Sequence, residues 1–151
     1  MLTLFEELKT DEQFFQSVRL SLGIGDEGVL EDDRILNPIF YEMAIISLQE
    51  LLPCLNEYEF TPLELARIKL AFAMILASLI APSLTGMVDY EVKTIDISWK
   101  RKVLDYDDLS LALYDRARDL LADFECYEGE GLGDMLFAIA PSKRAVGCRG
   151  K

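Results

Sequence analysis

Apolar positions recur at helical spacing through the first half of the chain. Leu2 to Lys9 predicts a first turn or two of helix, and Thr10 with Gln13 has capping-box spacing, which predicts a helix start at Thr10. Phe14, Val18 and Leu22 then fall on one stripe, and Gly23, Gly25 and Gly28 end it in a flexible, acidic loop. Asn37 and Pro38 read as the N-cap and first residue of the next helix, because proline there has no N–H to lose. Glu31 to Leu36 extends that helix upstream, with a kink at Pro38. Ile39, Met43, Ile46 and the pair Leu51 and Leu52 carry the helical spacing on to Pro53. The strongest start signal is Thr61-Pro62-Leu63-Glu64, a capping box with proline at the first position. From Leu70 this helix is apolar all round until Pro82 stops it, so it must be central and covered on most sides.

Between Gly86 and Val103 the period changes from helical to two. Val88, Tyr90 and Val92 alternate with Asp89, Glu91 and Lys93; Ile95, Ile97 and Trp99 alternate with Asp96, Ser98 and Lys100. This pattern predicts a β-hairpin arm at about 86–103. A last amphipathic helix opens at Asp105 to Asp108, where acids suit the N-terminal dipole. Its stripe is Leu109, Leu113, Ala117, Leu120, Leu121 and Phe124. Glycines 129, 131 and 133, a short apolar piece from Met135 to Ala140 and a basic end follow. The predicted fold is mainly α: a small helical bundle around a buried central helix, with one β-hairpin arm and a flexible C-terminal tail. Residues 1–140 form the domain and 141–151 the tail.

Composition narrows the function. Half of the 151 residues are apolar, enough for one core without disulfides or metal. Cys54, Cys126 and Cys148 are odd in number and lack CxxC spacing. They predict no disulfide framework and a reducing compartment, with Cys54 a core thiol and the other two incidental. The N-terminus lacks the basic and apolar parts of a signal peptide. The apolar run from Leu70 to Pro82 is short of the roughly 20 residues that cross a bilayer. The formal charge is −12 without a histidine, and it is uneven. Residues 141–151 hold Lys143, Arg144, Arg149 and Lys151 and no acid, which leaves 11 bases against 27 acids, −16, on residues 1–140. Such a body repels phosphates, so the basic footprint of a DNA-binding protein is absent. The charge serves solubility, a surface that must not adhere to DNA, or one that imitates it.

The sequence presents no catalytic residue, cofactor site or metal site. Without histidine there is no Ser-His or Cys-His pair and no neutral base near pH 7. Gly23 to Gly28 matches the loose G-x-G-x-x-G pattern but follows a helix, so it reads as a helix-ending loop. Carboxylates on helices are the remaining candidates for Mg²⁺ chemistry on nucleotides: Glu6 and Glu7, Glu42, and the i,i+4 pair Asp115 and Asp119. Arg116 and Arg118 interleave with the last pair, which favours a solvated face of ion pairs. Trp99 followed by Lys100-Arg101-Lys102 reads either as a strand whose charges discourage edge pairing or as an interface anchor.

The stretch from Glu64 to Phe124 resembles the head–tail connector (adaptor) proteins of long-tailed bacteriophages. An apolar helix, ELARIKLAFAMILASLIA, leads into Tyr90-Glu91-Val92-Lys93-Thr94-Ile95-Asp96-Ile97-Ser98, similar to the family's Glu/Lys-containing hairpin, and a final helix follows. Thr94-Ile95-Asp96 stands where related hairpins carry Gly-Asp. The resemblance implies a structural virion protein without enzymatic activity. It would form a ring with its own copies, typically a dodecamer, docked under the portal protein to receive a stopper or tail-completion protein. DNA would pass through the ring without specific binding, and the protein would lie in the host cytoplasm before assembly. Tyr90, Ile95, Ile97, Trp99, Lys100, Arg101 and Lys102 of the arm, with Lys143, Arg144 and Arg149 of the tail, are the interface candidates. The alternative from charge alone is an acidic inhibitor that mimics DNA and blocks a DNA-binding protein.

Overall fold

The computed structural model describes residues 2–25, 28, 30–84 and 106–129, and every regular element among them is helical. In chain order these are α1 (Leu2–Leu8), α2 (Glu12–Ser21), α3 (Asp32–Ile35), α4 (Pro38–Leu51), a 3-10 turn at Pro53–Asn56, α5 (Pro62–Ile80), a second 3-10 turn at Ala81–Leu84, and α6 (Tyr106–Leu121). The mainly α character is therefore established. The predicted hairpin at 86–103 and the tail from residue 141 lie outside the described residues.

Two helix starts follow the sequence closely. Thr61 Oγ1 accepts from the Glu64 N–H at 3.3 Å and Glu64 Oε2 from the Thr61 N–H at 2.7 Å, a complete capping box for α5. Asn37 Oδ1 accepts from the Ile39 N–H at 3.0 Å and caps α4. Two other expectations need correction. Asp11, and not Thr10, caps α2: its Oδ1 accepts from the Gln13 N–H at 2.9 Å. Thr10 is already used to close α1, its hydroxyl donating to the Glu7 carbonyl at 3.1 Å. Glu31 to Leu36 does not run into α4 with a kink. Asn37 precedes a proline, which disfavours helical backbone there, so the chain breaks and α3 remains a separate turn.

Gly23 ends α2 as predicted. Its φ of +72° is left-handed backbone; the Gly23 N–H donates to the Leu20 carbonyl and the Ile24 N–H to the Arg19 carbonyl, the two bonds of a Schellman cap. The loop beyond is anchored to the body. Ile24 and Leu30 are buried, and Arg19, itself buried, donates from Nε to the Leu30 carbonyl at 2.9 Å and from Nη2 to Asp32. A buried guanidinium is tolerated because its donors are satisfied.

The centre of the bundle is α5, packed against α2, α4 and, most extensively, α6. Ile68, Phe72, Ile75, Leu76 and Ile80 are buried, as are Ala71, Ala73 and Ala77; Met74 and Leu79 are partly buried, and Leu63 and Leu70 are 70% and 40% exposed. Phe72 is the hub. Its ring stacks on Phe14 at 5.6 Å, meets Tyr41 edge-on at 5.3 Å and tilts against Phe5 at 5.1 Å, so one side chain ties α1, α2, α4 and α5 together. α6 runs antiparallel to α5: the Ser110 hydroxyl donates to the Ser78 carbonyl near one end, and Arg67 pairs with Asp123 at the other. Leu113, Ala117 and Leu121 of its predicted stripe are buried, while Leu109, Leu120 and Phe124 are partly covered.

Cysteine usage is also corrected. Cys54 and Cys126, 72 residues apart in sequence, form a disulfide with Cα atoms 5.9 Å apart. Spacing along the chain cannot reveal this pair, because only the meeting of the α4 and α6 ends brings it together. With two of the three cysteines joined, cysteine usage does not point to a reducing compartment.

Candidate interaction surface

All ten predicted interface residues lie outside the described ones: Tyr90, Ile95, Ile97, Trp99, Lys100, Arg101, Lys102, Lys143, Arg144 and Arg149. The described body carries 7 basic against 19 acidic side chains, a net charge of −12. Several of its bases are engaged locally: Lys9 with Glu6 at 2.9 Å, Arg67 with Asp123 at 3.1 Å, and Arg19 with Asp32. The surface field is therefore negative.

Against this charge, α4 presents an apolar stripe. Ile39, Met43 and Ile46, which carry the helical spacing along α4, are 67%, 49% and 54% exposed. The buried face of α4 is Tyr41, Ala44, Leu48 and Leu51 instead. Both sets fit a period of 3.6, and the choice between them is made by partners. Tyr41 brings a ring to Phe72 and a hydroxyl to the Phe5 carbonyl, at 2.6 Å, which Ile39 and Met43 cannot replace. The outward stripe, i, i+4 and i+7, has Glu42 and Glu50 beside it, both exposed.

A second feature lies where α4, α5 and α6 end together. Tyr58 and Phe60 from the segment before α5, Glu64 from its first turn, and Asp123, Phe124 and Glu125 after α6 line a cleft of about 240 Å³ with the Cys54–Cys126 disulfide in its wall. Phe60 meets Phe124 edge-on at 5.7 Å, and Tyr58 lies against Phe60 at 5.9 Å. The wall after α6 is held at several points. The Glu128 N–H donates to the Leu51 carbonyl at 2.9 Å, Arg118 Nη2 to the Gly129 carbonyl at 2.6 Å, and the Tyr58 hydroxyl to Glu125 Oε2 at 3.1 Å. That last bond, and the charge of Glu125 behind it, raise the Tyr58 pKa. Helical periodicity does not reveal this cleft, although Glu57-Tyr58-Glu59-Phe60, alternating acid and aromatic, is a visible signal.

The carboxylates considered for metal chemistry do not converge. Glu6 is paired with Lys9, Asp115 lies 4.0 Å from Arg118, and among the described residues no three potential ligands gather. Among the same residues, no helix is long and apolar enough to cross a membrane. Comparison of the chain with sequence families, curated proteins and solved structures finds no match.

Proposed function

We propose that this chain is a structural assembly subunit: a head–tail connector protein that forms a ring under a phage portal and lets DNA pass. The observation that carries the reading is the exposed Ile39–Met43–Ile46 stripe on a strongly acidic helical body. An apolar stripe with charged neighbours is the composition of an interface core and rim. An acidic wall lets DNA slide past without adhering. The Cys54–Cys126 disulfide suits a protein that acts in an assembled particle outside a reducing cytosol. The Trp99-Lys100-Arg101-Lys102 segment supplies the opposite sign and an aromatic anchor for a neighbouring copy.

A second reading is favoured by the charge itself, since a body at −12 whose bases are partly neutralised by ion pairs also imitates DNA. Co-sedimentation with purified portal complexes, set beside binding to DNA-binding enzymes, separates the two. A protein that ignores the portal at low and high salt alike is not a connector.

A further inference from the structure

We propose that the cleft between Phe60 and Phe124 is a receptor for a guanidinium or ammonium group, and that its occupant is the chain's own basic C-terminal segment, Lys143 to Lys151. This goes beyond the assembly reading and does not depend on it.

The chemistry of the lining selects a cation. Three aromatic rings, of Tyr58, Phe60 and Phe124, border the cleft, and a cation over an aromatic face is attracted by the ring quadrupole. Three carboxylates, of Glu64, Asp123 and Glu125, share the same lining. Each already receives one donor from the protein: Glu64 the Thr61 N–H, Asp123 the Arg67 guanidinium, Glu125 the Tyr58 hydroxyl. An ionised carboxylate offers about four acceptor sites, so each keeps capacity for a further N–H. The local bonds fix the carboxylates in place, which lowers the ordering cost of binding. An anion would meet repulsion here, and a neutral apolar group would leave the carboxylates without benefit.

The identity of the occupant follows from charge and reach. Residues 141–151 carry four bases and no acid, the reverse of the cleft. The last described residue, Gly129, stands three positions after Cys126 of the cleft wall, and Lys143 lies fourteen positions further on. Fully extended, that stretch spans up to about 46 Å, so the tail has ample length to turn back. The other basic cluster, Lys100 to Lys102, joins the body at Tyr106, the opposite end of α6 from the cleft. The helix is about 24 Å long, whereas four residues from Lys102 to Tyr106 reach only about 14 Å. A tethered segment also meets its site at an effective concentration in the millimolar range, which favours it over a second copy in dilute solution.

With Cys54 and Cys126 joined, Cys148 is the one cysteine left for labelling, and it sits beside Arg149. A nitroxide placed on Cys148 of the full chain should broaden the NMR signals of Tyr58, Phe60 and Phe124 at low ionic strength. The loss should be unchanged on dilution and reversed by high salt. It should vanish when Lys143, Arg144, Arg149 and Lys151 are all changed to Glu, and diminish in the double variant Asp123→Asn, Glu125→Gln. Glu64 is left intact because it caps α5. Absence of broadening at low ionic strength, broadening centred elsewhere on the body, or broadening that fades on dilution and so comes from a second copy, would each overturn the proposal.

Discussion

The Tyr41 hydroxyl donates to the Phe5 carbonyl at 2.6 Å, across 36 residues of sequence, and fastens α1 to α4 over the Phe72 ring. Burial, and then the nearby charge of Glu6, hold the Tyr41 pKa well above the ordinary phenol range. The folded protein therefore keeps a proton that the unfolded chain releases above about pH 10. The resulting contribution to stability is complete below that pH and is lost as the pH climbs through the folded-state value. Urea denaturation of the wild type should show declining stability above about pH 10. Tyr41→Phe should be about 1 kcal/mol less stable at neutral pH, the value of a typical buried hydrogen bond, and should show a shallower alkaline decline. An alkaline limb as steep in the variant as in the wild type assigns the effect to other groups.

Phe72 and the α4 stripe should respond to truncation in opposite ways. Phe72→Ala removes the ring that four helices share and should cost about 3–5 kcal/mol. Ile39→Ser, Met43→Ser and Ile46→Ser alter exposed positions and should each change stability by less than about 0.5 kcal/mol. Chemical denaturation of the four variants tests this. A large loss at Met43 would mean that the stripe is covered within the protein.

How far the fold can be read from the sequence depends on whether a signal is local. The capping box at Thr61, the N-cap at Asn37 and the left-handed Gly23 all act within a few residues, and each appears where the sequence places it. The apolar stretch of α5 from Leu70 onward is equally legible, since no other position in a bundle suits it. The face of α4 is not: Ile39-Met43-Ile46 and Tyr41-Ala44-Leu48 satisfy the same period, and hydropathy favours the first set. The burial of Tyr41 is decided by Phe5 and Phe72, which no local pattern contains. The Cys54–Cys126 pair and the cleft beside it are invisible for the same reason, both being made by segments 59 to 72 residues apart.

The disulfide closes a loop of 72 residues that includes all of α5 and all of α6. In the chain-entropy account, a loop of that size stabilises by about 4 kcal/mol. Cys54→Ser combined with Cys126→Ser should lower the urea midpoint accordingly, and reductant should do the same to the wild type. Thiol titration of the unfolded, unreduced protein should find Cys148 alone. Three titratable thiols together with a midpoint indifferent to reductant would restore a reducing compartment as the working environment.

The connector and DNA-mimic readings part most clearly over which surface matters. In a ring, each copy presents the α4 stripe with Glu42 and Glu50 to a neighbour that brings Trp99 with Lys100, Arg101 and Lys102. Such a contact is heterologous, one patch meeting a different patch, and it closes into a ring when the rotation permits. Burial of a large aromatic at its centre is worth ≥2 kcal/mol in a typical hot spot, so one substitution per subunit is felt at every interface around the ring. Trp99→Ala, Arg101→Glu and the double variant Ile39→Ser, Met43→Ser should therefore abolish incorporation into particles while circular dichroism and urea midpoints stay near wild type. A DNA mimic behaves in reverse. There the stripe and Trp99 are dispensable, and neutralising exposed acids such as Glu42, Glu50, Asp119 and Asp123 removes binding, because phosphate imitation rests on charge spread over the surface. Particle incorporation and enzyme inhibition, measured for both sets of variants, give opposite rankings under the two readings. If the apolar variants enter particles as readily as the wild type, the α4 stripe is not the ring interface.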